Sequence, residues 1–211
     1  MWSVQSSQRR LRHAARGKEG LLDAAVKVIA RRGLDHTRFA DVTKATGVAV
    51  STLQYYFGSR EDLLIAVIEH ATEKELHELQ AIAREPTDPR RRLVRLITVA
   101  VDEGETPEES LVLWIEIRRA ALRNAEIRAL YLQRYGAWLA VFRDAVQEGI
   151  EQGLFTTTLS AGDVAQQLLA LVDGLVIPLL LADHPLDRRT ARQLVTVAAA
   201  ALLQCDLLEG I

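Results

Sequence analysis

Residues 35–57, DHTRFADVTKATGVAVSTLQYYF, decide how this chain is read. Two short helical patterns flank Gly47. The first runs from Arg38 to Thr46, with Thr37 placed to cap it, because a threonine hydroxyl reaches first-turn amides. Gly47 supplies the positive φ that a sharp turn demands, and Val48 is the apolar plug of that turn. The second runs from about Val50 to Phe57. Each is shorter than the ~12 residues at which an isolated helix becomes marginal in water, so both must be braced by neighbours. Val42 with Ala45 or Thr46 supplies the inward positions of the first; Leu53 and Phe57, at i and i+4, supply those of the second. Ser51, Thr52, Gln54, Tyr55 and Tyr56 are left facing outward, where a solvated helix would carry Lys and Glu. Such a face suits the major groove of a duplex. Hydroxyls donate to phosphates, and a glutamine pairs bidentately with an adenine edge. Arg38 and Arg60 flank the face as phosphate clamps, and Ser59 and Arg60 open a helix whose first amides also favour a phosphate. The competing reading, a tight helical corner inside an enzyme with the tyrosines as core, accounts for Phe57 and one tyrosine but not for five outward polar residues beside two arginines.

Working outward, Leu21, Leu22, Ala25, Val28 and Ile29 recur at helical spacing, predicting a helix over 18–32 that Gly33 stops. Ser59-Arg60-Glu61-Asp62 reads as a capping box that opens a long helix to about Arg84, before Pro86 and Pro89. Further helices are expected near 89–101, 107–123, 125–152, 160–181 and 186–208, separated by Gly, Pro and Asn breaks. With no convincing strand and no repeat, the fold class is all-α with about nine helices. The expected division is a flexible basic arm over 1–15 carrying Arg9, Arg10, Arg12 and His13, a three-helix helix-turn-helix domain over 16–62, and a larger helical domain over 63–211.

The composition agrees. Apolar residues are 49% of the 211 and charged residues 26%, enough to build a real core, while 12 Gly and 5 Pro favour long helices over many strands. The single cysteine, Cys205, excludes an internal disulfide framework, suits a reducing cytoplasm and is read as a core residue near the end of the last helix. The N-terminus has charge but no apolar stretch, so no secretory signal is expected. The apolar segment 164–182 is interrupted by Gln166, Gln167, Asp173 and Pro178, and is read as a buried, Pro-kinked helix rather than a membrane span. Residues 1–60 carry a net charge of +7 and residues 61–211 one of −9, a basic front that suits a polyanion. The five histidines are scattered, and neither a phosphate-binding Gly loop nor a nucleophile elbow is present. No catalytic residue, metal or cofactor is therefore expected, and an all-helical enzyme is the distant alternative.

The stretch around Gly47 resembles the DNA-binding domain of the tetracycline-repressor-like (TetR) family. Its pattern is matched by Gly33, Thr37, Val42-Thr43, Thr46-Gly47-Val48-Ala49 and Thr52-Leu53-Gln54-Tyr55-Tyr56-Phe57-Gly58-Ser59-Arg60-Glu61-Asp62-Leu63, over about residues 18–65. Four positions depart from it. Thr43 replaces a small Ala, Ala49 a Ser cap, Gln54 a Tyr, and Arg60 a Lys. The resemblance implies a cytoplasmic, homodimeric regulator, most simply a ligand-responsive repressor on a palindromic operator. A regulator without ligand response, or an activator, is the alternative.

It also implies that the rest of the chain binds an unidentified small-molecule effector and dimerises through the last two helices. Segment 160–181 is apolar on nearly all faces and needs cover on more than one side. The last helix offers Leu194, Val197, Ala198, Ala201 and Leu202. Trp114, Ile117, Arg118, Tyr131, Trp138, Phe142 and Asp173 are the candidate pocket lining. Trp114 and Trp138 with Glu116 suit a cation, whereas Arg118 or Arg134 suits an anion; both readings stay open.

Overall fold

The chain was analysed as a computed structural model that describes residues 17–102, 107–181 and 185–207. Among these residues there are nine helices and no strand: α1 Lys18–Arg32, α2 Phe39–Thr46, α3 Val50–Phe57, α4 Arg60–Arg84, α5 Pro89–Asp102, α6 Pro107–Ala121, α7 Ala125–Glu151, α8 Ala161–Leu180 and α9 Arg188–Leu203. The all-α expectation is met, and the breaks fall where Gly, Pro and Asn were read as stops. The basic arm at 1–15 lies outside the described residues.

The helices pack as two compact units whose bounds differ from the 16–62 and 63–211 division. The described parts of Met1–Lys74 with Val112–Tyr131 form the first; those of Glu75–Leu111 with Leu132–Ile211 form the second. Helices α4, α6 and α7 each give residues to both. The reason is visible in the first core. There Leu21, Ile29, Val42, Leu53, Leu63 and Val67 are joined by Leu113, Trp114, Ile117 and Ala121 of α6, and by Ile127 of α7. The short helices of residues 35–57 are thus braced partly by chain that lies far on in the sequence, which local periodicity does not reveal.

In the second unit α9 packs against α8 and α5. Its core holds Leu93, Ile97, Phe142, Val164, Leu168 and Val195. After α7, Gly153 turns the chain at φ 70°, and Phe155 folds back onto Gly149. The α8 helix is capped by Ser160, whose hydroxyl accepts from the Asp163 amide, and carries Pro178 in its last turn. Its inner face, Val164, Ala165, Leu168, Leu169, Val172 and Val176, is buried. Its outer positions Ala170, Gly174 and Ile177 are exposed, so within this chain the helix is covered on one side only. By length and composition alone α8 is apolar enough to cross a membrane, despite the polar interruptions. Cys205 lies just past α9, half-buried against the core, and burial pushes its thiol up from the ordinary value.

Candidate nucleic-acid interface

The site is built from the turn after α1. Gly33 has φ 79°, and its amide donates to the Ile29 carbonyl at 2.8 Å. The chain then turns through Leu34–Arg38 into α2. Thr37 was expected to cap that helix and to face DNA; the structure corrects both. Thr37 is 0% exposed, and its hydroxyl donates back to the Gly33 carbonyl at 2.8 Å. The N-cap is Arg38, whose amide donates to the Asp41 carboxylate at 3.0 Å. Asp41 in turn pairs with Arg32 at 3.3 Å. Arg38 itself is exposed, as a phosphate contact requires.

Helix α2 ends at Gly47 in the left-handed region, φ 72° and ψ 11°, a conformation a side chain would strain. Val42 is fully buried and Val48 packs against the same core. Ala45 is exposed; Thr46, half-buried, donates its hydroxyl to the Val42 carbonyl at 2.8 Å. Helix α3 starts at Ala49 without a side-chain cap. Leu53 and Phe57 point into the core, and Ser51, Gln54, Tyr55 and Tyr56 are exposed, with Thr52 half-buried between them. Tyr55 is 85% exposed, and its ring meets that of Tyr56 edge-on at 5.5 Å. Two phenols held apart from the core by their own helix, beside an amide and a hydroxyl, form a polar, largely uncharged surface one helix wide. It can donate and accept along a groove.

At the start of α4 the capping box is present. The Ser59 hydroxyl accepts from the Asp62 amide at 3.1 Å and donates to the Asp62 carboxylate at 2.7 Å, while the Ser59 amide donates to that carboxylate at 3.2 Å. The Ser59 hydroxyl, then its amide, hold the Asp62 carboxyl below its ordinary value of 3.8. A lowered carboxylate stabilises the fold above its unfolded value, and that contribution fades as pH falls through the folded one.

Arg60 is not placed as a phosphate clamp. Its Nε donates to the Thr37 carbonyl at 2.6 Å, one terminal nitrogen donates to the Leu34 and Asp35 carbonyls at 2.6 and 2.9 Å, and the other pairs with Glu61 at 3.2 Å. The guanidinium ties α4 to the turn that leads into α2. Arg60→Ala is therefore expected to lower stability by about 1.5–3 kcal/mol, the range for hydrogen bonds to a charged group. It should leave the salt dependence of DNA affinity nearly unchanged. Denaturant titration beside a salt series checks this; a slope reduced by about 1 with stability intact would restore the phosphate role.

The same turn is held from α6, which no local signal in the sequence announces. The Leu34 amide donates to the Glu116 carboxylate at 2.8 Å across 82 positions. Arg119 bridges Asp35 at 2.8 Å and Glu116 at 3.2 Å, and the two carboxylates, Asp35 first, raise its pKa further. A cavity of about 380 Å³ lies here, lined by Gly33, Asp35, Val112, Glu116 and Arg119 among others.

The seven residues expected to line a ligand pocket divide between the units. Trp114 and Ile117 are buried in the first core, and the Arg118 guanidinium lies over the Tyr131 ring at 5.8 Å. Trp138 and Phe142 are buried in the second core, and Asp173 is half-buried on α8. None of the seven lines the 380 Å³ cavity. Glu116, offered for a cation, is engaged by Leu34 and Arg119. Arg134, offered for an anion, is engaged by Glu75 at 2.5 and 2.7 Å, and the Trp138 indole donates to the same carboxylate at 2.6 Å.

Comparison with known proteins bears on both halves of the chain. The family model for bacterial regulatory proteins of the tetR family matches residues 21–67, and that for the BetI-type transcriptional repressor C-terminal domain matches residues 89–204. The HTH-type transcriptional regulator BetI of Rhizobium meliloti (strain 1021) is 27% identical over 172 residues, 81% of this chain and 81% of the relative. A crystal structure of a transcriptional regulator from Saccharomonospora viridis in complex with choline is 27% identical, covers 90% of this chain and 94% of its own, and superposes with a TM-score of 0.77. A TetR regulator from Haloarcula marismortui, 22% identical, shares the fold with a TM-score of 0.79 over 90% of this chain and 100% of its own.

Proposed function

Because the chain belongs to the TetR family of DNA-binding transcriptional regulators, with a BetI-type C-terminal domain, we propose that it is a ligand-responsive repressor that binds a palindromic operator as a homodimer. One observation carries the DNA side of this reading: α3 buries Leu53 and Phe57 and turns Ser51, Gln54, Tyr55 and Tyr56 outward. With Arg38 beside them, the hydroxyls and phenols contact phosphates, and Gln54 reads an adenine edge.

Dimerisation is supported by the outer faces of α8 and α9. Ala170, Gly174 and Ile177 follow one another along the first, with Leu181 just past its end; Leu194, Val197 and Ala201 follow one another along the second, all exposed. An apolar face this continuous calls for cover, and a second copy of the same helix pair about a two-fold axis supplies it. That arrangement also gives the apolar outer face of α8 a use that needs no membrane, in keeping with a cytoplasmic regulator.

The repressor sign rests on the description of the matched C-terminal domain. An effector acts only by its differential affinity for the state that holds the two α3 helices at operator spacing and the state that does not. The relative in complex with choline makes choline the first compound to try.

The reading is tested by selecting bound duplexes from a random pool. A palindrome whose half-site centres lie ~34–36 Å apart is expected. Gln54→Ala should relax preference at one position of each half-site, at a cost of ~1–3 kcal/mol there. No enrichment at low salt would remove the DNA-binding arrangement proposed for α3; an unchanged consensus with the variant would remove the Gln54 role.

A further inference from the structure

Val50 opens α3 and is 43% exposed. It stands three residues before Leu53 and seven before Phe57, at the leading end of the stripe that seats the helix, yet neither apolar core of the described residues includes it. Its neighbours on the outer surface are Ala49, Ser51 and Gln54, all exposed. A β-branched apolar side chain thus stands at the leading end of a face whose later residues, Ser51 and Gln54, are polar.

The leading residues of a recognition helix are those that reach base edges. The major groove offers one apolar feature at that depth, the C5-methyl group of thymine. Resting on the DNA-binding reading of α3 given above, we infer that Val50 is a specificity-determining residue that packs on a thymine methyl, so that each half-site contains one thymine chosen for its methyl group. The position is constrained by Gln54. Val50 and Gln54 are one turn apart on the same face, about 6 Å along the helix axis. That is about two base-pair steps at most, so the thymine lies within about two steps of the adenine that Gln54 reads.

The competing account is that a single exposed apolar side chain is ordinary on a protein surface and signifies nothing. The two accounts separate cleanly. In the selected operator, each thymine of the half-sites is replaced in turn by deoxyuridine, which keeps the base pair and removes the methyl alone. Wild-type protein is expected to lose about fourfold in affinity at one position of a half-site, and about fifteenfold when both half-sites are changed, the loss implied by one buried methyl per site. Val50→Ala should bind the thymine operator more weakly and no longer distinguish the two bases; Val50→Thr, which keeps one methyl and the branched shape, should keep part of the discrimination. Indifference of the wild type to every deoxyuridine overturns the inference, as does a full penalty that persists in Val50→Ala. Should Val50→Ala lose all binding, the wild-type substitution series decides alone. A protein that enriches a palindrome but ignores the methyl loses only this inference; one that enriches no duplex loses the DNA-binding arrangement first.

Discussion

Arg134→Met is expected to destabilise the second unit by about 3–5 kcal/mol, the range for breaking a buried ion pair by removing one partner. The geometry explains why so much is at stake. Glu75 is 9% exposed and Arg134 7%. The guanidinium meets the carboxylate through two bonds of 2.5 and 2.7 Å, and the Trp138 indole adds a third of 2.6 Å. Removing the guanidinium leaves a buried carboxylate held by the Trp138 indole N–H, and an uncompensated buried charge is costly. The second change is the informative one. Replacing Glu75 by Met as well leaves no charge to neutralise, and the double variant should recover part of the loss, the remainder being the cost of the Trp138 indole N–H left without its carboxylate. Urea titration of the four proteins, followed through tryptophan fluorescence, measures the coupling. A single variant within about 1 kcal/mol of wild type would mean that water reaches the pair. Effector binding is a separate readout: since Arg134 and Glu75 satisfy each other, neither is available to a ligand while the pair is closed.

Gly149→Ala is the other change with a large expected effect, and its sign runs against helix propensity. Alanine in a helix interior is favoured over glycine by about 1 kcal/mol. Yet a Cβ at Gly149 would stand 2.1 Å from Phe155 Cδ2 and 2.9 Å from its Cγ. The ring has little room to withdraw. Phe155 is buried, the amides of Leu154 and Phe155 both donate to the Gly149 carbonyl at 2.8 and 3.1 Å, and the Thr156 amide is bonded to the Leu203 carbonyl at 2.8 Å. Overpacking of this kind costs typically about 1–3 kcal/mol, occasionally more, and the clash is with ring carbons rather than with the end of a flexible chain. With the clash at the upper end of that range and the propensity gain set against it, a net loss of about 1–2 kcal/mol is expected in thermal or urea unfolding. Phe155→Ala alone should cost about 3–5 kcal/mol, and combining it with Gly149→Ala should add little or even help, because the obstacle is gone. A Gly149→Ala protein as stable as wild type would show that the C-terminal end of α7 repacks freely.

The α4 start and the α2–α3 turn illustrate what residue order alone decides. Ser59 and Asp62 are three apart, so their reciprocal bonds follow from helix geometry. Gly47 in the left-handed region, and Leu53 and Phe57 inward at i and i+4, are equally local. These signals located the helices and the outward face of α3 without reference to the rest of the chain. They misplaced Arg60 because its partners lie more than twenty residues away, and Thr37 because two local acceptors and donors competed for one hydroxyl. A threonine before a helix is a cap unless a carbonyl four residues back is closer to hand, and Gly33 provides one. An arginine at a helix start is a phosphate clamp unless folding brings three carbonyls to it, and the turn at 34–37 does.

The amino-acid sequence by itself determined an all-helical chain, the hinge at Gly47 and the polar surface of α3, since each depends on spacings of four residues or fewer, the reach of one helical turn. Only the tertiary structure decided that α6 braces the DNA-binding unit through Glu116, that Arg134 is neutralised by Glu75, and that Gly149 must lack a side chain. The first two join positions tens of residues apart, and the last turns on where a ring folds back onto its own helix. Such contacts are chosen by packing density and by the need to satisfy buried charge, neither of which leaves a periodic trace along the chain.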